Sequence, residues 1–517
     1  MLLRITKGFF RSGWWLVLGM LVIAVVYLSL GRLATLSVEA NQHQIENYLR
    51  NSGLDFVEIG AIAGDWRVHD PRFIVRDISV KPLGEPALDI DLLVLRVDSV
   101  RSFMSGVPIV TEMEISGIRF AVERDEQGFR IKGFKRGNGK LDVDYVLDSL
   151  PHLELLKMDG INVTLIGPNT EMNLVSHWDQ PWVVSAEDEV KQVSLPLFLE
   201  RKQPNGMTLR HRLGLSGYYQ GDLRESDFVS RLYLEAPRID LEGFTPDFEL
   251  AGRRLSAARL ATRIWLTLEP GSLDVTGEIE LTDVSLAGES HNLLDEVSSR
   301  FRFHGESISR GTLSIPNVRL KQGEFEFELD NIALAIDTGP LGSSLAGQLD
   351  QVDVSELARL VEYAGQKELL PERLSNALLS VSPDGELKNL LFITDPVEGT
   401  PHLVSSLVGF SVEAYLGIPS IDQLNGFVSL QPDRGYLDID NDEFEMNFES
   451  MFDSPWTFDS GRGRLAYRVG EDSVSVASGL IELLDGDLSS YGKLSMNLPP
   501  ARELQTWGLT IGVANAE

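Results

Sequence analysis

Residues 323–337 read GEFEFELDNIALAID. Phe325, Phe327 and Leu329 alternate with Glu324, Glu326 and Glu328, which makes one face apolar and the other ionised. Past Asp330-Asn331 the alternation resumes in the opposite phase with Ile332, Leu334 and Ile336. A period of two belongs to extended chain, so the stretch is either two short strands or one strand carrying a bulge. The reading of the whole chain turns on what the apolar face meets.

The same device recurs on either side. In residues 87–97, Leu88, Ile90 and Leu92 occupy one phase and Leu93, Leu95 and Val97 the other. GSLDVTGEIELTDVSLAG places Leu273, Val275, Ile279 and Leu281 on one face, and EFEMNFESMF does so for Phe444, Met446 and Phe448. Strand-type alternation runs from Leu54 to Val122 and again through most of the remaining chain. Arg124-Asp125-Glu126-Gln127-Gly128 has the composition of a hairpin turn. Helical spacing is rare. It predicts a short amphipathic helix over 36–49, stopped by Asn51-Ser52-Gly53, another over Asp142–Leu150, and a better one over Val354–Ala364. Asp353 and Glu356 stand at the spacing of an acidic cap and its reciprocal partner. No Pro/Gly/Ser-rich linker, block of like charge or strict short repeat separates these elements. Two architectures satisfy the alternation: tandem β-sandwiches whose inner faces bury each other, or one extended sheet curled so that its apolar face lines a trough. Pattern alone does not choose between them.

At 517 residues with a 43% hydrophobic fraction, the chain has enough apolar content to fold. Its formal net charge of −31 argues against a nucleic-acid partner, because a phosphate backbone needs a basic stripe. Cysteine is absent, which excludes disulfides, thiol chemistry and thiolate metal sites. From Gly13 to Leu30 no residue is charged, and as a helix this run spans roughly 27 Å, about a bilayer core. Arg4, Lys7 and Arg11 precede it and predict a cytoplasmic N-terminus, while Trp14, Trp15 and Tyr27 sit where interfacial rings belong. A cleaved signal peptide is the competing reading, disfavoured by the length of the apolar run and the distance to Val38-Glu39-Ala40.

The search for chemistry finds little. None of the eight histidines shows the spacing of a zinc-binding helix. Residues 461–466, GRGRLA, match a dinucleotide fingerprint literally, but strand-like RLAYRV follows where a helix is needed, so the motif reads as a turn. Neither a nucleophile elbow nor a P-loop is present. No enzyme activity, catalytic residue, cofactor or metal is expected.

The order of landmarks resembles the YhdP family of AsmA-like envelope proteins. A basic start, a membrane helix and a short amphipathic helix lead into GAIAGDWRVHDPRFIVRDISV (60–80), where Trp66 and Pro71 match a W-x4-P step. ISGIRFAVERDEQGFRIKGF (115–134), LELLKMDGINVTLIG (153–167) and QVDVSELARLVEYAG (351–365) are similar to later landmarks. SPDGELKNL and the run from Gly409 to Phe452 resemble its central region. The resemblance implies a repeating antiparallel β-groove, open along one side, that holds acyl chains. It implies an inner-membrane protein of Gram-negative cells, with its bulk in the periplasm. Such a protein carries phospholipids toward the outer membrane, supports outer-membrane integrity, and meets a periplasmic or outer-membrane partner protein. Members of that family are commonly longer, so a fragment, a truncated gene product or a short relative is expected. The implied organisation is a cytoplasmic segment (1–12), a membrane helix (13–31), a helix and groove start (32–135), groove (136–350), a helical insertion (351–390) and further groove (391–517). Each methylene kept from water gains about 0.8 kcal/mol, so a two-chain lipid needs an apolar lining to cross water. The candidate lining is Leu88, Ile90, Leu92, Leu273, Val275, Ile279, Leu281, Phe325, Phe327, Leu329, Ile332, Leu334, Ile336, Phe444, Met446 and Phe448. An envelope scaffold or outer-membrane assembly factor made of closed sandwiches is the alternative.

Overall fold

The computed structural model describes residues 29, 31–32, 35, 37–44, 47, 57–67, 70–81, 87–106, 108–125, 128–132, 153–166, 171–177, 179–187, 190–202, 207–221, 227–241, 249–250, 253–287, 291–339, 342–367, 369, 375–376, 379–394, 400–414, 420–447, 454–470, 473–498 and 506–514. The expected cytoplasmic segment, the expected membrane helix of 13–31 apart from residues 29 and 31, the helix over 142–150 and Phe448 lie outside them, as does the Phe444 side chain. Among the described residues no helix is long and apolar enough to cross a membrane. The chain divides into two units, 1–246 with 261–270, and 247–260 with 271–517.

The first unit holds β1 (Val57–Arg67), β2 (Asp70–Val80), β3 (Leu88–Asp98), helix α1 (Ser99–Ser105), β4 (Ile109–Ser116), β5 (Arg119–Asp125), β6 (Gly128–Ile131), β7 (Leu155–Asp159), β8 (Asn162–Ile166), β9 (Glu171–Val175), β10 (Trp182–Glu187), β11 (Val190–Lys202), β12 (Thr208–Gln220) and β13 (Val229–Asp240). Pairing is antiparallel except where β4 meets β7 and β5 meets β8 side by side in parallel. Asp125 pairs with Gly128, the hairpin that the turn composition predicts. Helical residues between 31 and 44 lie on the apolar face of β1. Gly64 allows this approach, since a Cβ there would stand 2.3 Å from the Thr35 carbonyl oxygen. Val38 packs on the core of Ile62, Val75 and Ile78, which Ile90 and Leu93 also touch.

The second unit follows β14 (Glu249–Leu250) and part of β15 (Arg253–Glu269) with β16 (Ser272–Leu286), β17 (Leu294–Ser307), β18 (Arg310–Gln322), β19 (Phe325–Gly339), β20 (Gly342–Asp353) and helix α2 (Val354–Gln366). Then come β21 (Asp384–Thr394), β22 (Pro401–Val412), β23 (Ser420–Leu430), β24 (Arg434–Asn447), β25 (Trp456–Val469), β26 (Val474–Ser478), β27 (Ile481–Asp485), β28 (Leu488–Leu498) and β29 (Thr506–Ala514). From β16 onward the described pairings are antiparallel and join consecutive strands, with α2 lying between β20 and β21, except that β25 also meets β27 and β26 meets β28. The GRGRLA motif is no turn. It lies inside β25, where Gly463 sits against Ile481 and a Cβ would meet that side chain at 2.9 Å.

The phase reversal in GEFEFELDNIALAID resolves as one strand. Asn331 has φ 54, in the left-handed region that Asn and Asp tolerate better than other L-residues. It falls opposite Pro316, flanked by the pairs Ile315–Ile332 and Asn317–Asp330, so both strands reverse their pleat together and the apolar side chains stay on one face. Asp77 (φ 54) opposite Gly60 and Asp91, and Asn389 (φ 51) opposite Asp350, repeat the device.

Helix α2 begins as the spacing predicts. The Asp353 carboxylate accepts from the Ser355 and Glu356 amides at 2.8 and 3.1 Å, and from the Ser355 hydroxyl. The hydroxyl and the two amides hold its pKa below the ordinary carboxylate value. Asp353→Ala will lower the stability of the second unit by about 1 kcal/mol in denaturant titration. Because the folded-state pKa is depressed, that contribution is present above the unfolded carboxylate pKa and is lost as pH falls through the folded one. The difference between the two proteins should therefore shrink in acid.

Candidate functional site: a transverse apolar ribbon

Residues directly opposite in a ladder share a face, so a chain of opposite pairs traces a line across a sheet. In the second unit one such line starts at Val275, Phe303, Leu313 and Leu334 on β16 to β19. It continues through Gly347, Phe392, Leu403 and Leu430 on β20 to β23. Gly435, Tyr467, Val476, Met496 and Trp507 carry it to β29. Every position on the thirteen strands is apolar, aromatic or glycine, over about 60 Å at a strand spacing near 4.8 Å. Gly347 is buried, Leu430 is 38% exposed, and the other described side chains of the line are half-buried.

The first unit has its own line. Gly64, Phe73, Leu95, Met113, Leu156, Val184, Val193, Gly217 and Leu232 follow one another across nine strands. Gly64 lies under the helical residues near Thr35, whereas the side chains from Phe73 onward are half-buried.

The opposite face of the second unit is ionised. Arg302 pairs with Asp274, Arg310 with Asp337 at 3.1 Å and Arg462 with Asp440 at 2.9 Å, all between neighbouring strands. Arg464 donates to Asp438 and holds that carboxyl below its usual range. Exposed pairs like these contribute little each, because solvent screens them, but they keep that face in water. Lys191 is the exception on the apolar side. Two residues from Val193, it is 8% exposed, its ammonium donates to the Leu153 carbonyl, and burial lowers its pKa.

The candidate residues picked from alternation fall into shared lines. Ile336 aligns with Leu273 through Gly311 and Gly305, and Leu334 with Val275. Leu329 aligns with Ile279, and Phe327 with Leu281 through Leu320 and Val297. Ile332 lies beside Ile315, and Met446 between Ile421 and Trp456. Two placements differ from the simple pattern. Leu92 registers with Arg76 and Ser116 and turns away from the cluster that holds Ile90, because the pleat reverses beside Asp77 rather than after Leu92. Leu88 stays with Ile90, opposite Val80. Phe325 and Phe327 are covered by protein at their end of β19. The Phe325 ring stacks on Tyr363 of α2 at 4.6 Å, Tyr363 reaches the Leu293 carbonyl, and Phe327 is 4% exposed. Sequence reasoning passed over Phe303, Leu313, Phe392, Leu403 and Tyr467 as lining, although the strands holding them alternate as clearly; the missing information was which residues face each other.

A sequence model of one family, described as YhdP protein, matches residues 1–513. The chain belongs to the YhdP family. No curated protein and no solved structure matches it. As a YhdP-family chain it is β-rich with few helices, as the resemblance implies. Its described residues bring no three His, Asp or Glu side chains together as metal ligands.

Proposed function

We propose that this protein is a periplasmic lipid conduit anchored in the inner membrane, whose apolar ribbons carry phospholipid acyl chains toward the outer membrane. The observation that supports it best is the line from Val275 to Trp507, apolar at every strand and half-buried along most of its length. In a closed sandwich, inner-face side chains are packed to the density of a protein interior. Here no described side chain of the line is fully buried, whereas full burial occurs away from it, at Phe327 beside α2, in the core under Val38, at Ile161, Met172 and Leu199, and at Leu407 and Leu424. Leu, Phe, Val and Ile replace water around a methylene chain without specific hydrogen bonds, at about 0.8 kcal/mol per methylene. Gly347 and Gly435 make room for their neighbours on the line, since a Cβ there would stand 3.0 Å from the Leu334 side chain and 2.4 Å from the Tyr467 ring. The head group stays in solvent and the ionised outer face keeps the strands soluble. No reaction is required.

Native mass spectrometry of the full chain extracted from cells tests this. Several phospholipids bound per chain are expected. A lipid-free protein with the same fold would overturn the conduit and leave the scaffold reading.

A further inference from the structure

Helix α1 caps the β3–β4 turn and buries none of its own residues. Val100, Phe103 and Met104 fall at i, i+3 and i+4, which makes one apolar face. They are 54%, 89% and 82% exposed. Within 99–108 the single charge is Arg101, in a chain of net charge −31. The tip is nonetheless held firmly. Asp98 caps the helix through the Arg101 amide at 2.8 Å, and Gly106 closes it in the left-handed conformation. Buried Asp70, at the start of β2, accepts from the Ser99 amide at 3.2 Å and its hydroxyl at 3.1 Å. A rigidly mounted Phe-Met face that packs on nothing costs exposure and asks for a partner.

Its position names the partner. The helical residues following the apolar run of 13–30 cross β1 with Gly31 against the Trp66 ring and Gln42 bonded to the Ile59 and Gly60 carbonyls. The chain therefore leaves that run at the Arg67 end of β1, where Arg67 pairs with Asp70. Asp70 is the residue that holds Ser99. So the point at which the chain emerges from its apolar N-terminal run and the tip of α1 share one end of the strands.

We infer that α1 is a second membrane contact, which seats Phe103, Met104 and Val100 in the outer interface of the bilayer that holds the N-terminal run. The inference rests on the anchoring part of the proposed function. Phe and Met side chains partition into the interfacial layer, and the single arginine suits an anionic headgroup plane. Two contacts, one spanning and one interfacial, set the strands at a defined tilt, so that the first-unit ribbon meets the leaflet instead of swinging freely on a tether.

The absence of cysteine makes the test direct. Phe103→Cys, Met104→Cys, Ala24→Cys and Met207→Cys are made one at a time in the full chain, labelled with a polarity-sensitive dye and reconstituted into phosphatidylcholine–phosphatidylglycerol vesicles. Ala24 lies in the apolar run. Met207, 63% exposed, precedes β12 at the opposite end of the strands from α1, because β4 and β7 start at the α1 end, β10 returns to it and β11 leads away. A quencher carried on lipid acyl chains should reduce emission at 24, 103 and 104 at least about threefold, and leave 207 unchanged. Quenching at 24 without quenching at 103 and 104 overturns the α1 contact and spares the anchor. A dye at 103 that is shielded but not quenched places protein over the tip, and also overturns it. An unquenched dye at 24 sinks the anchoring reading and this inference together.

Discussion

Leu334→Asp will stop lipid transfer and leave the protein folded. Leu334 is half-buried on the long ribbon, beside Leu313 and Gly347, so the new carboxylate can stay hydrated while the ribbon is empty. An acyl chain arriving there must strip that water, at about 2.5–3.5 kcal/mol for an aspartate against hydrocarbon. Each 1.36 kcal/mol is tenfold in rate, so transfer between donor and acceptor vesicles should fall roughly 100-fold. Ala335→Asp, one residue along and exposed on the ionised face, is the matched control and should transfer normally. If Leu334→Asp unfolds the second unit, the position is packed core and the conduit proposal fails. If it folds and transfers at the parental rate, the ribbon is not the path.

The second large effect is on stability. Phe327→Ala should destabilise the second unit by about 3–5 kcal/mol, read as the shift of its own transition in a denaturant titration. Phe327 is 4% exposed in the line of Leu320, Val297 and Leu281, near the end that α2 covers. Its removal opens a cavity the size of a ring under a surface pinned by the Phe325–Tyr363 stack, so the site cannot collapse freely. A loss below about 1 kcal/mol would show that the ring faces an adaptable, partly open space. The contrast between Phe327 and Leu334, seven residues apart on one strand and one face, separates the part of the apolar surface that protein fills from the part proposed to hold lipid.

Much of this was legible in the residues. Period-two alternation named the strands, because successive side chains of an extended chain leave on opposite sides whatever the strand pairs with. Asp330-Asn331 announced the reversal of phase, and Asp353 with Glu356 the start of α2. GRGRLA misled because glycine-rich text suggests a turn, whereas in β25 Gly463 makes room for Ile481. Leu92 misled because alternation does not reveal on which residue a pleat reverses; the left-handed Asp77 lies in the neighbouring strand.

Local chemistry by itself determined that the chain forms alternating strands with one greasy and one charged side, and where its apolar N-terminal run lies. Only tertiary structure decided that Val275, Phe303, Leu313 and Leu334 stand in a row, that β4 and β7 run parallel, and that a helix closes over Phe325. The reason is range. The direction of a side chain depends on its own dihedrals, but register depends on partners tens of residues away, and a slip of one residue would send a strand's whole apolar set to the other face.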